Sequence, residues 1–356
     1  MRYLSIDIMR GMTVVAMILV NTPGSWQYIY PPLAHAEWHG YTPTDLIFPF
    51  FLFIVGSAMS LSLGRDRSAY PVKFQRLSSR SLKIFFLGLA LHFYAANFSW
   101  ENLRLMGVLQ RIGIAYFIAG LIVLSCRRRQ RVLISIVILA VYTLLLFSVD
   151  EPFGLAANVV GVIDRQLLGA AHMWSIDGIA FDPEGLLSTI PCVVTVLLGY
   201  EATAYLSAEK NRQQAVKTLT MAALGLMLAG YVLSLWLPIN KSLWTASYVL
   251  VTGAWAVLVL AVLVLIVDIY GKQAWGRCFV WFGANALILY VVSWAWTATY
   301  YKFSIAGQPA YDFIYQAFVT PIGDVYLASL AFAVAHILLF SLLAWQLYRK
   351  KIFIKV

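Results

Sequence analysis

The stretch whose reading decides the fold is NTPGSWQYIYPPLAHAEWHGYTPTDLIFPFFLFIVG, residues 21–56. It leaves one apolar run at Asn21, passes through prolines, aromatics and two histidines, and enters a second apolar run at Asp45. A helix needs about 20 predominantly apolar residues to span a bilayer, and each flanking run approaches that length. The connector carries His35, Glu37, His39 and Asp45 but no Lys or Arg. That set is more than a plain turn requires, and an imidazole beside a carboxylate suits proton transfer.

Outward from this stretch, apolar segments fall near residues 8–22, 44–64, 77–96, 106–126, 131–149, 186–206, 217–237, 245–268, 277–300 and 325–348. They predict an all-α polytopic membrane protein, a bundle of about ten transmembrane helices forming one domain over 1–356. Hydrophobic residues make up 61% of the chain and charged ones 12%, which leaves no room for a soluble domain. The first run has no small-residue cleavage site and reads as a retained span. Cys126, Cys192 and Cys278 have no paired spacing, so neither a disulfide framework nor a zinc site is expected.

The net charge of +10 is distributed by loop. Arg2, Arg65, Arg67, Lys73, Arg76, Arg80 and Lys83 fall on one side, with Arg127–Arg129, Arg131, Lys210, Arg212, Lys217, Lys272, Arg277, Arg349–Lys351 and Lys355. The other side holds only Arg104, Arg165, Lys241 and Lys302, among many acidic residues. The positive-inside rule makes the first set and both termini cytoplasmic, and the His35 loop outward. The basic charge therefore belongs to topology and headgroups, not to nucleic acid. Trp26, Tyr28, Tyr30, Trp38, Trp100, Trp236, Trp244, Tyr300 and Tyr301 crowd the outward ends as an interfacial belt, and those beside polar motifs suit stacking on a sugar ring.

Several polar residues exceed what a bilayer anchor needs. Asp7 and Arg10 stand three apart in the first run, a spacing that allows an ion pair. Asn21 lies eleven residues beyond Arg10, within about 20° of the same helical face, so one polar stripe runs the length of the span. In LRLMGVLQRIGIAYF, Arg104 and Arg111 are two turns apart and share a face, with Arg111 too deep to snorkel cheaply. FDPEGLL (181–187) reads as a helix start, with Asp182 at the N-cap, Pro183 at the first position and Glu184 in the first turn. The same carboxylates suit a polar acceptor at the outer face. LPINKSLW (237–244) supplies Asn240, Lys241 and Trp244 in an outward turn, Asn285 needs a partner inside the ninth span, and His92 and His336 read as core residues.

Two chemistries are open to the loop. His35 and His39 stand four apart, but three prolines argue against a helix there and no third ligand is evident, so no metal is expected. A neutral imidazole can instead take a proton from an attacking group, or accept an acyl group, with Asp45 orienting the ring. On residues alone, a proton-coupled sugar transporter using the same pair competes with an acyltransferase.

The blocks SIDIMRGMTVVAMILVN, HAEWHGYTPTDLIFPFFLFIVG, RLMGVLQRIGIAYF, FDPEGLLSTI, LPINKSLWTASYV and FGANALILYV run in order along the chain. In these the sequence resembles the heparan-α-glucosaminide N-acetyltransferase family, specifically its shorter bacterial members. The resemblance implies a multi-pass enzyme of the bacterial inner membrane that takes acetyl-CoA from the cytoplasm and passes the acetyl group to a glucosamine-type amino sugar outside. An O-acyltransferase of another envelope sugar is the alternative. The family's essential histidine falls on His35, while His39 stands where lysosomal members have asparagine. Its polar asparagine falls on Asn21 and its acidic residue on Asp45. Arg10, Arg76, Arg80 and Lys83 at the inner mouth, with Arg111, are the candidate CoA ligands. Asp182, Glu184, Asn240, Lys241 and Trp244 are the candidate acceptor ligands. The chain opens directly at the first family span, and a homodimer is compatible with the reading.

Overall fold

The computed structural model describes residues 3–64, 66 and 68–354. Arg2, Arg65, Arg67 and Lys355, counted above among the cytoplasmic bases, lie outside the described residues. Among the described residues, thirteen α-helices account for most of the chain. They are α1 (Leu4–Asn21), α2 (Ile47–Ser62), α3 (Tyr70–Ala95), α4 (Val108–Ser125), α5 (Arg128–Leu146), α6 (Val159–Leu168) and α7 (Thr189–Ala208). The remainder are α8 (Arg212–Leu233), α9 (Ala246–Leu263), α10 (Arg277–Ala284), α11 (Ala286–Tyr300), α12 (Ala310–Ile322) and α13 (Val325–Arg349). The only strands among the described residues form two short hairpins, at 175–180 and 304–309.

Among the described residues, eight helical segments are long and apolar enough to cross a membrane, and α10 with α11 makes a ninth if that bent pair is one span. The tenth expected span is α3. Its 26 residues would extend about 39 Å, ample for a crossing. Lys73, Arg76, Arg80 and Lys83 on its first half lower its apolar character. The all-α polytopic architecture is thus that of the sequence, with eight or nine candidate spans rather than about ten: α3 is not among them, and the segment 277–300 is bent. It breaks at Asn285 with a 72° bend. The side chain of Asn285 explains the break: its Nδ2 donates to the Ile352 carbonyl at 2.9 Å, and its Oδ1 accepts from Ile354 N at 2.9 Å. The amide thereby leaves the helix for the C-terminal tail.

The chain falls into two compact units. The first takes the chain up to Ala36, Tyr41–Ile47 and everything from Leu263 to the tail. Here α1 packs against α10, α11 and α13. Glycines make the close approach: a Cβ on Gly11 would overlap the Phe279 carbonyl, and one on Gly283 would sit 2.3 Å from the Asp7 carbonyl. The second unit takes Glu37–Gly40 and Phe48–Val262. In it α4 packs on α3 and α7, and α7 also packs on α5 and α8. Gly56 and Gly199 let α2 and α7 meet backbone to backbone, against the Val196 and Phe53 carbonyls respectively. Small residues at helix crossings are how membrane helices gain packing where apolar burial offers little drive.

Valine at 199 has no room against the Phe53 carbonyl. Gly199→Val is expected to cost about 1–3 kcal/mol through overpacking, read as a lowered thermal midpoint in detergent. An unchanged midpoint would mean that the α2–α7 crossing is looser than described.

Candidate functional site

The His35 loop is built by short-range chemistry. Pro31–Leu33 and Pro43–Leu46 form single 3-10 turns, each opened by proline, whose fixed φ suits the first helical position. In the second turn Thr42 and Asp45 make a capping box. Thr42 N donates to Asp45 Oδ2 at 3.0 Å, and Asp45 N donates to the Thr42 carbonyl at 3.0 Å. Ala36 N also donates to Asp45 Oδ2, at 3.0 Å, and the Thr42 hydroxyl donates to the Ala34 carbonyl at 2.6 Å. The carboxylate is buried at 1% exposure and its remaining oxygen, Oδ1, lies 2.7 Å from His35 Nδ1. An ionised carboxylate can only accept, so Nδ1 carries the proton and Nε2 the lone pair of the neutral ring. The ring itself is 47% exposed. The expected His35–Asp45 pairing is therefore present in the first unit, with an oriented and reachable imidazole. Asn21 closes α1 in the same unit with an exposed side chain, so solvent rather than a buried partner meets its amide. Arg10 pairs with Asp7 at 3.6 Å, as the spacing predicted, and donates from Nη1 to the Gly283 carbonyl at 3.2 Å.

A second polar cluster forms in the other unit, where FDPEG departs from its expected role. Helix α7 begins only at Thr189, and residues 183–188 form turns instead. The reason is competition for Asp182, which accepts from Arg104 Nη2 at 2.5 Å, from Arg104 Nε at 2.8 Å and from Glu184 N at 2.9 Å. Its carboxylate caps the turn and grips an arginine, so none is left for a helix N-terminus. Glu184 holds Arg104 Nη2 at 2.6 Å. Arg104 does not share a helix with Arg111: it lies in the extended 103–107 segment ahead of α4, and Trp174 stacks within 5.4 Å of its guanidinium. Burial works against the charge of Arg104, but the two carboxylates outweigh it and hold the guanidinium above its usual pKa. Burial likewise raises Glu184, yet Arg104, Arg111 and Lys241 together bring it below the ordinary glutamate value.

Arg111 is fully buried. Its Nη2 donates to the Gly185 carbonyl at 3.2 Å and to the Ser188 hydroxyl, and its guanidinium lies 5.2 Å from the centre of the Trp244 ring. Among the described residues, its Nε and Nη1 and the indole Nε1 of Trp244 have no hydrogen-bond partner. Trp244 sits at φ +50°, a strained conformation for a bulky residue. Asn240 imposes it: its Oδ1 accepts from Leu243 N at 2.7 Å and its Nδ2 donates to the Trp38 carbonyl at 2.8 Å, fixing the turn. Asn240 Nδ2 also lies 3.3 Å from His39 Nδ1, and burial lowers the pKa of that ring.

The structure thus brings Asp182, Glu184, Asn240, Lys241, Trp244 and Arg111 into one cluster. Arg111 is sequestered there, whereas Arg76, Arg80 and Lys83 lie exposed on α3, with Arg76 held by Asp66 at 3.0 Å and Arg80 over Tyr116 at 5.2 Å. Sequence reasoning left Arg104 outside the site and missed Asp164 and Ser188. Asp164 on α6 accepts from Leu187 N at 3.0 Å and packs its Oδ2 against Gly185, where no Cβ would fit. Its only signal was a lone carboxylate in the otherwise apolar run VVGVID.

The geometry defines a polytopic membrane protein carrying a buried carboxylate that orients an exposed histidine. The family model for heparan-alpha-glucosaminide N-acetyltransferase, catalytic, matches residues 2–237, and the chain belongs to that family. The chain is 29% identical to human heparan-alpha-glucosaminide N-acetyltransferase over 417 aligned positions, covering 100% of this chain and 60% of that protein. It is 28% identical to the mouse protein of that name over 348 positions, covering 80% of this chain and 52% of the mouse protein. The chain therefore spans between half and three fifths of the length of these relatives.

Burial pushes the Asp164 carboxyl up to about 6 from 3.8. The folded state then holds its proton to higher pH than the unfolded chain does, so stability falls as pH rises through the 4–6 window. Asp164→Asn should flatten that slope in thermal midpoints taken across pH 4–7. A slope that persists unchanged would assign the titration to another group.

Proposed function

We propose that the chain is a transmembrane N-acetyltransferase that moves the acetyl group of cytoplasmic acetyl-CoA to an amino sugar of the glucosamine type on the outer face. Residues 1–356 act as one acyltransferase domain in a bacterial inner membrane, both termini inside. The observation that carries this reading is the 2.7 Å contact between buried Asp45 and the half-exposed ring of His35.

With Nδ1–H held by Asp45, Nε2 presents the lone pair. His35 takes the proton from the acceptor amine as its nitrogen attacks the thioester carbonyl. The C–S bond breaks, an amide forms, and the proton passes to the leaving thiolate. Alternatively Nε2 attacks that carbonyl itself, the C–S bond breaks and CoA leaves as its thiolate; the amine then attacks the acyl-imidazolium, the N–C bond to His35 breaks, and the amine's proton goes to the thiolate. In both routes the imidazolium or acyl-imidazolium is stabilised by the Asp45 charge. Asn21, exposed at the end of α1, is suited to donate to the thioester oxygen.

For the donor, Arg76, Arg80 and Lys83 recur at four- and three-residue spacing, so they share a face of α3 and suit phosphate oxygens. In the first unit Arg10 is a separate candidate for a phosphate oxygen, and in the second the Arg111 N–H groups without a partner among the described residues suit a carbonyl or phosphate oxygen. For the acceptor, Glu184 and Asp182 offer carboxylates to hydroxyls or amine, Asn240 and Lys241 offer donors, and Trp244 an aromatic wall. The family membership supports the reaction class.

Purified protein incubated with radiolabelled acetyl-CoA and glucosamine should form N-acetylglucosamine. His35→Ala should abolish transfer, and Asp45→Asn should slow it by about 100-fold or more, in the range of general-base losses. Full activity in His35→Ala would sink the proposal. Sugar flux into proteoliposomes without CoA release would replace it with a transporter. Mass spectrometry of protein exposed to acetyl-CoA without acceptor decides between the routes by the presence of an acetyl group on His35.

A further inference from the structure

Within the first unit, α11 ends and α13 begins at the end where α1 stops, and the chain between them does not cross back. Helix α12 has 13 residues, about 20 Å, against the roughly 30 Å of a hydrocarbon core. It is fastened over the end of α1. The Tyr311 hydroxyl donates to the Pro23 carbonyl, and the Tyr315 ring fills the space beside Gly24. Ahead of α12, the 304–309 hairpin turns through Ala306 at φ +53° and Gly307 at φ +84°. This hairpin leaves Phe303 62% and Ile305 40% exposed.

These side chains belong to a larger apolar rim. Tyr301 stacks on Tyr311 at 4.7 Å, and Tyr28 and Tyr30 each lie 5.6 Å from Tyr326. Exposed Tyr326 and Leu327 lead directly into the exposed face of α13, Val334, Leu338 and Leu342, spaced as one helical stripe. That stripe belongs to a helix long and apolar enough to cross a membrane, where an exposed apolar face is suited to meet lipid. On α12 the exposed side has two edges, Phe313 with Ala317 and Asp312 with Gln316. An amphipathic helix with an apolar and a polar edge is suited to lie in the plane of a membrane interface.

We propose that the 302–317 segment is an in-plane membrane-surface element, with Phe303, Ile305 and Phe313 seated at the headgroup–acyl boundary of the leaflet at this end of the first unit. The occupant of the patch is lipid, because the patch continues the lipid-facing stripe of α13 and the aromatic rim typical of an interface. The inference is independent of the acetyl-transfer reading, since it concerns only how this end meets the bilayer.

Nitroxides on Phe303→Cys, Ile305→Cys and Gln316→Cys, with Cys126 and Cys278 replaced by serine and buried Cys192 kept, test it in phosphatidylcholine vesicles. Positions 303 and 305 should show severalfold higher collision with oxygen relative to a nickel chelate than position 316. The unmodified chain gives a second reading: a photoreactive group on the upper acyl carbons of phosphatidylcholine should crosslink to the 302–317 peptide. Equal nickel access at 303, 305 and 316, with no crosslink there, would overturn the proposal. So would protection of 303 and 305 that appears only when a polysaccharide is added.

Discussion

The Asp45 carboxylate is the constraint on which the candidate site depends. Two backbone N–H groups, from Ala36 and Thr42, fix Oδ2, and the imidazole of His35 takes Oδ1. A buried carboxylate without such partners would cost several kcal/mol. With them, its charge becomes a fixed reference that sets both the orientation and the tautomer of the ring. The prolines and the capping box make the turn, the turn places the carboxylate, and the carboxylate places His35. The short 3-10 turns do here what a long helix could not, since they reverse the chain between apolar segments while keeping the ring in reach of solvent.

The second cluster obeys a different economy. Arg104 satisfies two carboxylates at once, Asp164 braces the turn that carries them, and Arg111 is buried against aromatic rings with part of its donor capacity unmet. Strain at Trp244 and unpaired N–H groups are features that a purely structural network would be expected to shed. They are the features on which the proposed binding of substrate groups by this cluster rests.

The all-α polytopic architecture was legible because membrane-length apolar runs are a coarse signal, insensitive to tertiary detail. His35 with Asp45 was legible too, since the pairing is closed by a ten-residue loop and local capping chemistry. FDPEG was misread because Asp-Pro-Glu carries a valid helix-start pattern, and only a partner 78 residues away, Arg104, diverts Asp182 from capping. The bend at Asn285 was hidden for the same reason: the amide answers to a tail 67 and 69 residues further on. Local rules were right wherever the deciding partner was local. They failed where a charged or amide side chain was claimed from elsewhere in the chain.

The chain belongs to the heparan-α-glucosaminide N-acetyltransferase family, and the His35–Asp45 pair is the proposed centre of its chemistry. The claim most open to direct test is that Asp45 holds His35 as the Nδ1–H tautomer. Nitrogen NMR of histidine-labelled protein in nanodiscs, with the His35 signal assigned by its loss in His35→Gln, reads the tautomer from the ring nitrogen shifts. The account predicts Nδ1–H at neutral pH in the unmodified chain and loss of that preference in Asp45→Asn. An Nε2–H ring in the unmodified chain, unchanged by Asp45→Asn, would contradict it.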